Sequence, residues 1–288
     1  MYRNTFLSVM FLACCFNGSL CAQSDAQIYE RTCDAKTYPF SDPSPVATPN
    51  NSYYPYFRFD GFSMQAQEKQ WKMVVLENDY VKLTVTPEIG GKIWGAIDKV
   101  NNKEFVYTNG VVKFRDVAMR GPWTSGGIEF NFGIIGHAPT CSTPIDYLTK
   151  KNVDGSVSCH IFSYEWITRT VWNVEINLPK DKAYFTTHTT WFNQSSIDQP
   201  YYQWMNAGYA TKTGTRFYYP GTYSIGHSGD LHPYPIDEEG RDVSWYDNNN
   251  FGASKSLHII GDYNDYFGIY WHNEKHGSAH YSNYDEKL

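Results

Sequence analysis

Between Met119 and Pro139 the sequence MRGPWTSGGIEFNFGIIGHAP sets Arg120, Trp123, Glu129, Asn131 and His137 among glycines and prolines. Strand alternation over GGIEFNFG puts Ile128, Phe130 and Phe132 on one face and Glu129 and Asn131 on the other. A core takes the three apolar side chains, which leaves Glu129 and Asn131 facing either ordinary solvent or a concave surface. The company of Arg120, Trp123 and His137, and glycines that let other groups approach the backbone, favour the concave surface. There, Glu129 is suited to general acid or base work with Arg120 and aromatic rings around it, and His137 is a second proton-transfer candidate.

Two further segments carry candidate residues. In YYQWMNAGYAT, residues 201–211, Tyr202, Trp204 and Asn206 share one face of a strand. An indole covers the apolar face of a pyranose while an amide takes two hydroxyls, so Trp204 and Asn206 are candidate sugar contacts. A core strand with a buried Trp explains the same letters. The loop-rich segment YYPGTYSIGHSGDLHPYP, residues 218–235, holds His227 and Asp230 as catalytic candidates and His232 as a binding candidate. Turn chemistry accounts equally for its Gly, Asp and Pro.

Other chemistries lack their motifs. His272, His276 and His280 fall at helical spacing, yet YWHNEKHGSAHYS contains Gly277 and lies amid strand patterning. With no HExxH and no paired CxxC, no metal site is expected, and no cofactor. Gly90-Gly91 is followed by neither a helical pattern nor Lys-Ser/Thr, and GxSxG is absent. With 24 Lys+Arg against 30 Asp+Glu, a net charge of -6 and no basic run, nucleic acid is excluded as a partner.

The elements that must position these residues are short strands. YVKLTVTP alternates Val81, Leu83 and Val85 against Lys82, Thr84 and Thr86, and Pro87 ends it. KIWGAIDKVNNKEFVY reads as two strands about an Asn101-Asn102 turn. SVSCHIFSYEW, TRTVWNVEINL, AYFTTHTTWFN, YYQWMNAGYAT, SLHIIGDY and YFGIYWH follow, separated by turns. The pattern predicts an all-β sandwich or barrel-like architecture, with FSMQAQEKQWKM, residues 62–73, as the best helical candidate. Aromatic residues make up 17% of the 288, more than burial alone calls for, so many rings are expected to line a surface.

At the N-terminus, Arg3, the apolar run TFLSVMFLACCF and SLCA before Gln23 read as a signal peptide over residues 1–22. The run is too short for a spanning helix, so a secreted protein, in the periplasm or at the cell exterior, is expected, without stable membrane insertion after cleavage. Residues 23–70, rich in proline between Pro39 and Pro55, read as an extended arm or linker outside the core, and residues 71–288 as the folded domain. Of six cysteines, Cys14, Cys15 and Cys21 lie in the leader. For Cys33, Cys141 and Cys159 the sequence leaves two options open, a Cys141–Cys159 disulfide or three free thiols.

The blocks ENDYVKLTVTPEIGGKIWGAIDK, RGPWTSGGIEFNFG, HAPT, YYQWMNAG, YYPGTYSIGHSGD and YWHNEKHGSAHYSNYDEK together resemble the DUF5107 family of secreted bacterial proteins, met in Bacteroidetes among glycan-degradation genes. The resemblance spans residues 71–288. It implies a galactose mutarotase-like β-supersandwich, incomplete at the C-terminus, with a carbohydrate ligand on its concave face and a catalytic Glu placed late in the domain, which leaves open whether that base lies beyond Leu288. The function it implies is a carbohydrate-active protein of glycoside hydrolase type acting on glycan oligosaccharides. The alternatives are an aldose epimerase and a non-catalytic carbohydrate-binding module. Hydrolysis needs two carboxyl groups, for which Glu129 and Asp230 are the pair to examine.

Overall fold

The computed structural model describes residues 24–39, 63–116, 122–133, 137–165, 168–200, 202–226, 228–249, 257–261 and 264–282. The chain is all-β. Among the described residues the only helical elements are three-residue 3-10 turns, such as Pro87–Ile89 and Pro139–Cys141, and no helix is long and apolar enough to cross a membrane. The signal peptide expected over residues 1–22, Arg120 and His227 lie outside the described residues.

An eight-stranded sheet is the frame. Its order is Tyr202–Ala207, Ile128–Gly133, Lys92–Asp98, Val81–Thr86, Gln67–Glu77, Gln27–Tyr38 and Val112–Lys113, with Lys103–Val106 paired to the side of Lys92–Asp98. The strands alternate apolar residues toward one face: Val74 and Leu76, then Val81, Leu83 and Val85, then Ile128, Phe130 and Phe132. That face is covered by a four-stranded antiparallel sheet, Asp146–Lys151, Val157–Glu165, Thr170–Leu178 and Thr186–Asn193, whose Cys159, Ile161, Trp172, Val174, Ile176 and Leu178 complete one core. Trp172 stacks on Phe132 with ring centroids 4.5 Å apart, and Trp191 meets the same ring edge-on at 5.6 Å.

The opposite face of the large sheet is not all solvent. A second cluster of Trp71, Met73, Ile89, Trp94, Val112 and Phe114 lies there. A bulge opposite Thr84/Val85 sets it up: Val85 pairs with Ile93 and Thr84 with Gly95, so Trp94 is the extra residue. Its indole joins this second cluster and donates to the Asn109 carbonyl at 3.1 Å. Two three-stranded sheets and a two-stranded pair, Arg115–Asp116 with Pro122–Trp123, complete the described structure.

Two expectations need correction. The candidate helix over residues 62–73 runs instead into the strand Gln67–Glu77, because eleven register pairs to Gln27–Thr37 on one side and the pairing to Val81–Thr86 on the other outweigh its local helical preference. The stretch read as an arm contains Gln27–Tyr38, a twelve-residue strand of the main sheet; its polar letters disguise it, since only Cys33 and Ala35 pack on the second cluster. Of the two cysteine options left open, the Cys141–Cys159 disulfide is the one not formed, and Cys33, Cys141 and Cys159 all keep their thiols. Cys159 points into the core between the sheets, while Cys141 lies with Glu129 on the far side of the large sheet.

This placement has a direct readout. Under brief alkylation of the native protein, Cys33, half-buried, is expected to take label while Cys141 and Cys159, each at most 1% exposed, stay protected. Non-reducing peptide mapping checks it; a linked Cys141–Cys159 peptide pair would contradict the structure.

Candidate functional site

Three neighbouring strands bring polar side chains together on the face away from the sandwich core. Antiparallel register pairs Trp204 with Asn131 and Asn206 with Glu129 across Tyr202–Ala207 and Ile128–Gly133. On the other side Ile93 pairs with Ile128, which sets Lys92 beside Glu129 on the same face. Lys92, Glu129 and Asn206 thus form a row across three strands, with Asn131 and Trp204 in the next.

Their burial is unusual for such residues. Glu129, Asn131 and Lys92 are 2%, 1% and 1% exposed. Glu129 Oε1 accepts the Asn131 Nδ2 amide at 2.8 Å and lies 2.5 Å from His137 Nδ1. The Asn131 carbonyl in turn accepts the backbone N–H of Ala138 at 3.2 Å, so one amide fastens the His137-Ala138 turn to the strand. These contacts make Nδ1 the nitrogen that faces Glu129 and turn Nε2 away from it. The imidazole stacks on Trp123 with centroids 5.6 Å apart and meets Trp204 at 5.1 Å.

The third wall comes from the chain after His137. The 3-10 turn Pro139–Cys141 returns the Cys141 thiol to the carboxylate: donor atoms of Glu129, His137 and Cys141 all lie within 4.8 Å of one another. The Gly90-Gly91 turn holds it there. Gly90 has φ +64°, its N–H donates to the Thr143 carbonyl at 2.8 Å, and a Cβ at this position would sit 2.4 Å from the Cys141 carbonyl carbon. Gly127, at φ +65°, allows a similar approach to the Ile93 carbonyl and brings Lys92 and Glu129 close.

Charge is concentrated where water is scarce. The Lys92 ammonium donates to the Thr124 carbonyl and, at 3.1 Å, to its hydroxyl. Burial holds its pKa below the usual lysine range, against the opposing pull of the Glu129 charge. Burial pushes the Cys141 thiol well above its ordinary value, reinforced by Glu129 and countered by Lys92.

The residues singled out from the sequence divide cleanly. Trp123, Glu129, Asn131, His137, Trp204 and Asn206 converge, and the solvent-facing alternative for Glu129 is ruled out by its burial. Asp230 and His232 do not join them. They sit on the hairpin of Tyr223–Ile225 and Leu231–Pro233 in a separate sheet, where Asp230 is exposed at the turn and His232 faces Glu238 Oε1 at 2.8 Å. Lys92, Thr124 and Cys141 were missed. A lysine inside an otherwise apolar strand, KIWGAID, and a cysteine four residues after His137 were the available signals.

The family model described as a domain of unknown function, DUF5107, matches residues 48–287. The crystal structure of a TPR-domain containing protein from Parabacteroides distasonis ATCC 8503 is similar with a TM-score of 0.66 and 23% sequence identity. The match covers 86% of this chain and 40% of that one, so this chain spans well under half of that protein's length.

Proposed function

The chain belongs to the DUF5107 family, and from that premise we propose that it is an exported carbohydrate-active enzyme of glycoside hydrolase type, in which Glu129 and His137 act as one proton-transfer unit on a glycan oligosaccharide. The observation that carries this reading is the buried Glu129–His137 pair at 2.5 Å, set between the rings of Trp123 and Trp204. A buried ionisable cluster of this kind costs the fold desolvation energy that an apolar replacement avoids, so its presence points to chemistry. Glu129 holds His137 in one orientation, and Nε2, the nitrogen turned away, gives or takes the proton. The indoles supply apolar faces for a pyranose, and half-buried Asn206 lies in the same row to receive hydroxyls.

A second reading, an aldose epimerase, is favoured by one specific observation. Glu129 is the only carboxylate in the cluster among the described residues, whereas glycoside hydrolysis uses two and epimerisation one acid and one base. Reducing-end release from a panel of oligosaccharides, run beside polarimetry on free aldoses, separates the two. Hydrolysis is expected to give new reducing ends. Mutarotation without them would move the assignment to epimerase, and saccharide binding by calorimetry with neither activity would leave a binding module. The leader-like residues 1–22 support export.

A further inference from the structure

We propose that Glu129, His137 and Cys141 form a binding site for one divalent cation of borderline softness, of which Zn²⁺ is the type. The spacing, a strand carboxylate, then a histidine eight residues on and a cysteine four beyond that, matches no familiar zinc motif, so no motif marks it in the sequence.

The geometry supplies the argument. The three residues are buried, and one donor atom from each lies within 4.8 Å of the others. Tetrahedral coordination at 2.0–2.3 Å sets donor atoms roughly 3.5 Å apart, so a cation entering here draws the wider separations in and opens the 2.5 Å Glu129 Oε1–His137 Nδ1 contact. Glu129 Oε1 is already fixed by Asn131 and His137, but Oε2 is buried and receives no N–H or O–H hydrogen bond. Apart from the weak S–H donor of Cys141, which hydrogen-bonds Glu129, no group among the described residues meets this buried carboxylate oxygen, and a cation supplies what is missing. The surroundings resemble those of a built metal site: Asn131 braces the carboxylate and the Ala138 N–H braces Asn131. Carboxylate, imidazole and thiolate together suit Zn²⁺ better than Mg²⁺ or Ca²⁺, which prefer oxygen, and the Cys141 S–H proton is released to solvent as the metal–sulfur bond forms. Three protein donors leave a fourth position open. Lys92 works against the cation, since its ammonium sits beside Glu129 with Thr124 as its anchor.

The site does not rest on the saccharide reading; only its consequence does. A cation engages the carboxylate and imidazole that the proposed chemistry uses, so occupancy silences turnover.

The test uses the untagged full chain, stripped with chelator and titrated with Co²⁺ as a spectroscopic substitute. One Co²⁺ per chain is expected, with tetrahedral ligand-field bands and a thiolate-to-metal charge-transfer band, all displaced by Zn²⁺. Cys141→Ser is expected to lose the charge-transfer band, whereas serine at Cys14, Cys15, Cys21 and Cys33 together leaves it intact. Lys92→Met is expected to tighten binding about tenfold or more by removing a like charge a few ångströms away. No stoichiometric uptake by the wild-type chain, no charge-transfer band, or a band that survives Cys141→Ser would each overturn the site, as would unchanged affinity in Lys92→Met. Turnover measured in chelator separates the two claims. Activity there that Zn²⁺ abolishes supports both, and absence of turnover leaves the Co²⁺ spectrum to decide the site alone.

Discussion

Glu129→Gln is expected to lower kcat on the saccharide substrate by about 100- to 10,000-fold, the range over which a general acid–base unit or the carboxylate orienting an imidazole contributes. The substitution keeps the shape of the side chain, and its amide oxygen still accepts from Asn131 as Oε1 does now. What goes is the negative charge beside His137 Nδ1, and with it the force that fixes which ring nitrogen carries the proton. KM is expected to change little, because Trp123 and Trp204 are untouched. His137→Asn is expected to cost a similar factor, and the double variant little more than either single one, since the two residues act as a unit. Steady-state kinetics on the three variants, with circular dichroism to confirm folding, checks this. Undiminished turnover in Glu129→Gln would remove the pair from the mechanism.

Glu129 could be found from sequence because alternation is a local rule. GGIEFNFG and YYQWMNAG each place apolar and polar residues on opposite faces, and the register that pairs Asn206 with Glu129 brings the two polar faces together. Thr170–Leu178 was readable for the same reason, each second residue being buried. Lys92 and Cys141 were not readable, because their significance comes from neighbours on other segments. A buried lysine matters only once Glu129 lies beside it, and Cys141 only once the Gly90 turn presses its backbone toward the carboxylate. Asp230 and His232 illustrate the reverse. Their loop has the composition of a site, but its residues satisfy one another locally, His232 with Glu238. The strand Gln27–Tyr38 escaped because its stability comes from pairing with Gln67–Glu77 rather than from its own apolar letters.

The large sheet therefore has two faces with opposite roles, and its strands serve both at once. Ile128, Phe130 and Phe132 anchor the strand in the sandwich core, which holds Glu129 and Asn131, on the reverse, in fixed positions. Rigid backing is what a proton-transfer pair needs, since its geometry is set before substrate arrives. The cost of burying Lys92 and Glu129 is carried by apolar burial on the other side of the same backbone.

That division makes Trp172 a core residue on which the strand carrying the site rests. Trp172→Ala is expected to cost about 3–5 kcal/mol of unfolding free energy, a large share of the roughly 5–15 kcal/mol that holds a typical domain folded. The indole is fully buried, lies parallel to Phe132 at 4.5 Å, and pairs across strands with Trp191, whose ring closes on the same phenyl from the side. Removing it leaves a cavity beneath the strand that carries Glu129, and neighbouring side chains fill such a space only in part. Trp172→Phe provides the contrast. It keeps a ring against Phe132 and removes the indole Nε1–H, which is buried without a hydrogen-bond partner, so its cost is expected to be well below that of alanine. Urea unfolding followed by circular dichroism measures both. Equal losses in the two variants would mean that stacking on Phe132 is not what joins the sheets.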